Sequence, residues 1–471
     1  MILRRILLVA RGYSPLPTSP ADHADLLDVP SKRLYIPSFL FGLLPSPIQH
    51  GIRPETRPPP RRLSSTAWLD GLRGYAALFV ALFHLTVTHF ERLTIPYGTH
   101  HEGDTMPSSP LQLPFLRLVF SGRPMVHIFF VISGFVLSYK PLKHARSGAS
   151  SDLHKTLSSS AFRRWFRLYL PCIASTLVIF IFIRLRVFKQ EERMETFWEQ
   201  VLHWFRSFYR ISDPWKWEGF DGMPYDNHLW TIPIEFGQSL ILFAVVLALS
   251  QLRTAIRFGV LVIIIAFALR GGHWATVEYL AGMGIAEIGI IQEQPTKTYL
   301  DTEPDLILGQ STSTPRRRSV WSILYTIFLA FDLLVAAYIM GWPFVDFSEQ
   351  VPFLNFLMQH APEPWASYEN DNHMYIWMAW SAVQVVFVVH QWSFLQKAFT
   401  TRFAQYLAKI SYSLYLVHGT ILFTFVDRMM PFVWALVGDS PGFWYVHWLC
   451  SFQFYSRPFH ISECALLTDR N

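Results

Sequence analysis

Charged and titratable side chains occur inside several apolar segments of this sequence. The first such segment, from Trp68 to Phe90, holds Arg73 and His84. At about 100° per residue, these two side chains would lie within roughly 20° of each other around a helix and about 16 Å apart along its axis. A fixed cation and an imidazole on one face can bind an anion and move a proton. The structural alternative is that Arg73 extends to the lipid headgroups and His84 bonds a neighbouring carbonyl group.

Two arginines precede a later apolar segment, which runs from Leu170 to Val187. A helix would place Arg164 and Arg167 on one face, because they are three residues apart. Guanidinium groups bind phosphate oxygens through paired hydrogen bonds, so the pair is a candidate phosphate site. A positively charged anchor at the cytoplasmic end of a span explains the same two residues, and charge alone favours that interpretation.

Further polar residues stand alone in other apolar segments. Glu235 follows His228 by about two helical turns, at a depth where a carboxylate is costly unless it is functional or paired. Ser133 and Gly134 are small, which favours close helix packing at that point. His418 lies in another apolar segment, and its position is as consistent with a hydrogen-bonded structural role as with a functional one.

The sequence contains no recognisable pattern for a metal or a resident cofactor. No three histidines or carboxylates have the spacing of a catalytic metal site. No glycine-rich phosphate loop precedes a predicted helix. We therefore predict no metal centre and no bound cofactor.

The segments that would position these residues are long and apolar. Of the 471 residues, 51% are hydrophobic and only 16% are charged, against about 25% in an ordinary soluble domain. Lipid permits only helices or closed barrels, and the alternation of a barrel is absent. We predict an all-α polytopic bundle of about ten transmembrane helices. The candidate spans are Trp68–Phe90, Met125–Tyr139, Leu170–Val187, His228–Ser250, Ile256–Leu269, Trp274–Ile291, Val320–Met340, Met374–Trp392, Ile410–Val426 and a tenth from Pro431 onward.

The two ends of the chain are more polar than these spans. Residues 1–67 include a Pro/Arg cluster that cannot be helical, and we predict a disordered cytoplasmic tail there. The transmembrane domain is predicted over 68–454 and a polar C-terminal tail over 455–471. The net charge is +6. With the N-terminus cytoplasmic, Lys and Arg are roughly twice as frequent inside as outside, so the excess indicates topology rather than nucleic-acid binding.

Five motifs in this sequence resemble those of the acyltransferase-3 family of multi-pass membrane O-acyltransferases, and they look most like the filamentous-fungal members. They occur in the family's order and extend over most of the predicted transmembrane domain. One such motif alone would be weak, whereas five in order are specific. The motifs are Leu69–Gly74 with His84, Phe129–Phe135, Arg163–Tyr169, His228–Phe236 and Ser411–His418.

The resemblance implies an activity and assigns roles to residues. It implies transfer of an acyl group, often acetyl, from acyl-CoA to a hydroxyl of a carbohydrate, a lipid or a small metabolite. By resemblance, Arg73 and His84 match the family's catalytic Arg and His, and Arg164 and Arg167 match its Arg-x-x-Arg pair. Our hypothesis is that His84 is the general base, since imidazole titrates near neutral pH.

The remaining predicted site residues complete this hypothesis. The arginines would hold the phosphates of acyl-CoA, which is a co-substrate rather than a bound cofactor. Ser133 belongs to the same predicted donor-binding set. Glu235 would orient the histidine or the acceptor.

Two other classes of protein remain open at this point. A transporter or receptor could use the same intramembrane His, Glu and Arg for binding, and a saturable flux of an unmodified solute would indicate it. Polar residues that only join helices would tolerate a change of His84. Release of CoA that depends on an acceptor would indicate the enzyme.

Overall fold

The computed structural model describes residues 46–52, 63–99, 108–188, 193–213, 222–300, 320–343, 348–366 and 372–437. The chain divides into two units, Met1–Arg62 and Leu63–Asn471. In the first unit the described part is a seven-residue helix, Ser46–Ile52. The predicted disordered tail outside 46–52 and 63–67, most of the predicted tenth span and the predicted C-terminal tail lie outside the described residues.

The described part of the second unit consists of α-helices joined by turns and 3-10 segments. A 3-10 turn, Asn227–Trp230, leads directly into α5, and a π-helical turn, Leu422–Val426, joins α12 to α13. The helices are α1 (Ala67–His89), α2 (Gly122–Arg146), α3 (Ser150–Arg184), α4 (Phe197–Ile211), α5 (Thr231–Leu249), α6 (Thr254–Arg270), α7 (Trp274–Leu300), α8 (Val320–Met340), α9 (Pro352–Gln359), α10 (Asn372–Gln391), α11 (Ser393–Phe399), α12 (Arg402–Ile421) and α13 (Asp427–Val437).

Eight helical segments in the described part are long and apolar enough to cross a bilayer. They lie in α1, α2, α3, α5, α7, α8, α10 and the run that begins with α12. The predicted all-α polytopic bundle is therefore confirmed, and the chain is an integral multi-pass membrane protein. The cytoplasmic N-terminus stays a prediction.

Helix α6 corresponds to the predicted span Ile256–Leu269, but its 17 residues give only about 26 Å of length. That α6 crosses the bilayer follows from the relative direction of α2 and α7. Contacts between α2 and α7 advance together along both helices, from His127–Glu278 to Arg146–Glu287, so the two helices run parallel. The chain thus crosses an even number of times from the start of α2 to the start of α7. Helices α2, α3 and α5 supply three of these crossings, so α6 supplies the fourth.

Helix α3 is longer than the sequence predicted. The predicted span began at Leu170, whereas the helix begins at Ser150 and has 35 residues. Apolar content marks only the part in lipid, and no Gly or Pro ends the helix between Ser150 and Leu170. Asp152 in the first turn also favours a helix start there. As a result, Arg164 and Arg167 lie on a continuous helix, as their spacing required.

Glycines allow the central helices to approach each other closely. A Cβ atom added to Gly134 of α2 would lie 2.1 Å from the carbonyl oxygen of Tyr279 in α7. One added to Gly282 would lie 2.2 Å from the carbonyl oxygen of Val131. Small residues commonly bring membrane helices into backbone contact. The packing role predicted for Gly134 is therefore confirmed.

The close packing of α1 against α12 also depends on glycines. A Cβ atom on Gly74 would lie 2.5 Å from the backbone nitrogen of Ala408. One on Gly71 would lie 1.8 Å from the carbonyl oxygen of Phe399, which ends α11. The Gly74 contact holds α1 against α12 and the Gly71 contact holds it against the end of α11. Both α1 and α12 carry residues of the candidate site.

We predict that Gly134→Ala destabilises the bundle by about 1–3 kcal/mol, because the added methyl group overlaps the α7 backbone and the helices must separate. Thermal unfolding of the purified protein in detergent should show a clearly lower Tm. The matched control is Gly259→Ala in α6, where an added Cβ atom meets nothing within 4 Å. Equal Tm values for the two variants would contradict the proposed backbone contact.

Candidate active site

Most of the residues that the sequence singled out line one cavity. The cavity has a volume of about 580 Å³, within the range typical of small-molecule sites. Its walls come from α1, α2, α3, α5 and α12. The structure thus brings together residues from distant parts of the chain. The predicted site residues that line the cavity are Arg73, Ser133, Arg164, Arg167 and Glu235.

One carboxylate faces several cations in this cavity. Lys409 lines it together with the three arginines, and Glu235 is the acidic residue among the lining residues. The sequence analysis did not select Lys409 as a site residue. The available signal was its charge within an apolar stretch, directly before the motif Ser411–His418. The balance of lining charges is positive, which favours an anionic ligand.

The carboxylate of Glu235 has a specific partner. Arg164 Nη2 donates to Glu235 Oε1 at 2.6 Å, and the two side chains are 14% and 21% exposed. The hydroxyl of Tyr279 also donates to the backbone carbonyl of Glu235, at 3.3 Å. A charge-assisted hydrogen bond of this kind stabilises both ions where water is scarce. The role predicted for Glu235, orienting a histidine or the acceptor, stays a prediction.

The other cations of the cavity are less constrained. Arg73 forms an ion pair of 3.2 Å with Asp70, one turn earlier on α1, and donates to the carbonyl of Ala408 at 3.4 Å. Arg167 and Lys409 are exposed, and neither forms an ion pair with another described residue. Their charges are therefore available to a ligand.

His84 is not among the cavity-lining residues but belongs to a cluster of three histidines. One ring nitrogen each of His84, His228 and His418 lies within 4.8 Å of the other two. The ring centroids of His84 and His228 are 4.2 Å apart, and those of His84 and His418 are 5.1 Å apart. The rings come from α1, from the turn before α5 and from α12. Sequence reasoning noted each histidine separately and missed the cluster, since no spacing along the chain links them.

Two of these rings are held by hydrogen bonds on their outer side. His228 Nδ1–H donates to Asp226 Oδ1 at 2.9 Å, and the same oxygen accepts the backbone N–H of His228 at 3.1 Å. His418 Nδ1–H donates to the backbone carbonyl of Tyr415 at 2.6 Å. Because both acceptors lack a proton, Nδ1 carries a hydrogen in both rings, and in the neutral form of each ring Nε2 has the lone pair. Sequence reasoning also missed Asp226, whose position at the start of a helical turn is typical of a cap.

The histidine cluster lies next to the cavity wall. Tyr415 lines the cavity, and its hydroxyl donates to the backbone carbonyl of His228. That hydroxyl also lies 2.6 Å from Thr231 Oγ1, which lines the cavity as well. A short chain of hydrogen bonds therefore joins the cation-lined cavity to the cluster that contains His84.

This arrangement defines a class of protein, an integral membrane protein whose helices enclose a cavity with an excess of positive lining charge. The family model described as an acyltransferase domain, that of the acyltransferase-3 family, matches residues 66–452. The chain belongs to this family. It is therefore an O-acyltransferase rather than the transporter, receptor or purely structural protein considered from sequence.

Characterised fungal proteins are similar to this chain over most of its length. An O-acetyltransferase of Phomopsis amygdali, PaAT-1, is 31% identical over 411 residues, which cover 81% of this chain and 77% of that protein. Acyltransferase clz18 of Cochliobolus lunatus is 24% identical over 436 residues, covering 82% and 88%. Acyltransferase R4 of a Phoma species is 25% identical over 430 residues, covering 81% and 88%. No solved structure matches the chain.

We predict that the ion pair of Arg164 and Glu235 stabilises the α3–α5 wall. Glu235→Gln and Arg164→Met should each lower the stability by about 1–3 kcal/mol, because each leaves a mostly buried partner without its counter-charge. The double variant should lose less than the sum of the two, as measured by Tm. Arg163→Met, an exposed neighbour on α3, is the control. Strict additivity would refute the coupling.

Proposed function

We propose that the protein transfers an acyl group, acetyl in the simplest case, from acyl-CoA to a hydroxyl of a carbohydrate, a lipid or a small metabolite. The observation that carries this proposal is the positive cavity joined to the histidine cluster. The Phomopsis relative is named an O-acetyltransferase, which supports acetyl as the transferred group. Acyl-CoA acts here as a co-substrate that enters and leaves, and no resident cofactor is required.

The cavity suits the phosphates of the donor. CoA carries several phosphate groups, and guanidinium forks bind such oxygens in pairs. Arg167 and Lys409 have no described ion partner, so they would supply most of the attraction. Arg73 would add to it while keeping its bond to Asp70. Ser133 offers a hydroxyl on the opposite wall, from α2.

The proposed chemistry occurs deeper along α1, at His84. The acceptor hydroxyl oxygen attacks the thioester carbonyl carbon while a ring nitrogen of His84 takes the hydroxyl proton. The tetrahedral intermediate collapses, the C–S bond breaks, and the imidazolium returns its proton to the sulfur. The products are the ester and free CoA, so charge and atoms balance. The pantetheine arm would extend along the roughly 16 Å of helix between Arg73 and His84.

The surroundings of His84 support its role as the base. Its ring has no hydrogen-bond partner among the described residues, so a lone pair is free to accept a proton. His228, held by Asp226, lies against it and would limit the orientations that its ring can adopt. Glu235 acts indirectly in this scheme, because its ion pair fixes Arg164 in the cavity wall.

We predict that His84→Ala lowers acyl transfer by about 100-fold or more, because the general base is lost. The assay measures CoA release in purified membranes, with mass spectrometry of the acylated products. His154→Ala, an exposed histidine on α3, is the matched control and should retain full activity. Turnover of His84→Ala at the rate of the unmodified protein would refute the assignment.

A separate prediction concerns the donor site. Arg167→Ala should raise the KM for acyl-CoA by about tenfold or more, since a charged hydrogen bond to phosphate contributes about 1.5–3 kcal/mol. The control, Arg163→Ala, removes an equally exposed arginine that bonds only within its own helix and does not line the cavity. The same KM for both variants would argue against phosphate binding by Arg167.

A further inference from the structure

The three histidines of the cluster have the composition and proximity of a metal site. Their ring nitrogens lie within 4.8 Å of one another. Imidazole nitrogen is a preferred ligand of Zn²⁺ and related divalent ions, and three histidines with an open fourth position are a recurrent set. Tetrahedral Zn²⁺ needs nitrogens about 3.4 Å apart at bond lengths of about 2.1 Å. Small rotations of the side chains would bring the ring nitrogens from within 4.8 Å of one another to about 3.4 Å.

The hydrogen bonds behind the rings match those of metal ligands. A ligating histidine almost always donates its second N–H to a carboxylate or a backbone carbonyl, which fixes the tautomer and the ring. His228 donates to Asp226, and His418 donates to the carbonyl of Tyr415. In each ring Nδ1 is thereby engaged as a donor, so Nε2 is the nitrogen that could bind a metal ion.

One of these nitrogens lacks a partner within the described part of the chain. His418 is 7% exposed, and its Nε2 is buried with no hydrogen bond there. A buried acceptor without a partner is costly. His84, whose ring is also free of hydrogen bonds to described residues, faces it at 5.1 Å between centroids. A cation between these rings would satisfy lone pairs that otherwise repel one another.

The packing around His228 keeps its ring in this position. A Cβ atom added to Gly419, the residue after His418, would lie 2.6 Å from His228 Cε1. The glycine thus lets the ring of His228 lie directly against the α12 backbone. The ring of His228 is therefore held by both packing and a hydrogen bond, and that of His418 by a hydrogen bond, which reduces the entropy lost when an ion binds.

We infer that His84, His228 and His418 bind one divalent transition-metal ion of the Zn²⁺ type through their ring nitrogens. A bound ion occupies the lone pair that His84 needs to accept a proton, so the occupied enzyme does not transfer acyl groups. The inhibition by a bound ion rests on the function proposed above, whereas the binding of the ion does not.

Metal binding is tested first, independently of activity. The protein is purified in detergent, treated with a chelator and titrated with Co²⁺, whose visible bands distinguish four-coordinate from six-coordinate ions. We expect one Co²⁺ per chain, displaced by Zn²⁺. His228→Ala and His418→Ala should each weaken binding at least tenfold, and the more conservative Asp226→Asn by about 10- to 100-fold. His154→Ala should bind like the unmodified protein.

Binding that is unchanged in the conservative Asp226→Asn and in both histidine variants would overturn the site. Absence of a four-coordinate Co²⁺ spectrum in the unmodified protein would also overturn it. Size-exclusion profiles and Tm establish that each variant is folded. Should a histidine→Ala variant fail to fold, His418→Gln, which keeps the size of the side chain, together with Asp226→Asn, decides the question.

Inhibition is tested second, in the acyl-transfer assay. Saturating Zn²⁺ should lower activity at least tenfold, and a chelator should restore it. If Zn²⁺ binds at these residues without inhibiting, the inhibitory inference fails and His84 is not the base. If no ion binds while activity depends on His84, the metal site fails and the proposed function stands.

Discussion

A charge buried among membrane-spanning helices is costly unless a counter-charge lies beside it in the protein, because lipid supplies neither water nor ions. The described bundle meets this requirement by joining helices through buried ion pairs. Arg164 of α3 pairs with Glu235 of α5 at 2.6 Å. Glu287 of α7 receives Arg257 of α6 at 2.7 Å and Arg146 of α2 at 3.0 Å. Each pair requires a particular helix neighbour, so the polar residues determine which helices meet.

The pair of α2 and α7 illustrates how this constraint positions the site. His127 bonds Glu278 at 2.5 Å near one end of the pair, and Arg146 bonds Glu287 near the other. Between these polar contacts the two backbones approach through Gly134. Three fixed points leave α2 little freedom to slide or rotate. Ser133, next to that glycine, is therefore held at the cavity wall by interactions made elsewhere on its helix.

Local sequence features predicted which residues line the cavity better than they predicted which residues of other helices those side chains contact. Arg73 and Glu235 are each conspicuous because an ionised side chain in an apolar segment is costly wherever it lies, and Arg164 because it is one of two arginines just before such a segment. The helical period also predicted that Arg164 and Arg167 lie on one face of a helix. The family resemblance then supplied the common role that the individual residues could not indicate. The nine predicted spans before Pro431 each coincide with a described helix, because apolar length is a local property.

What depends on packing could not be predicted in this way. The period of a helix says which side chains share a face but not which other helix lies against that face. The meeting of His84, His228 and His418 depends on three separate elements, so no spacing encodes it. The early start of α3 was missed for a local reason, since the residues before Leu170 are apolar on one face only, where Leu153 and Leu157 are buried, and do not form a continuous apolar run. Lys409 carried a signal in the sequence, its charge in an apolar stretch, but only its place beside the arginines in the cavity relates that charge to the site.

The two arginines of the Arg-x-x-Arg motif differ in kind although they share a helix face. Arg164 is already neutralised by Glu235, whereas Arg167 has no ion partner among the described residues. Four cations around one cavity would repel one another strongly at the low dielectric of a membrane protein. Glu235 reduces that repulsion while leaving the cavity positive. The carboxylate would thus let the bundle carry the proposed anion site before any anion arrives, which is consistent with an acid among four lining cations.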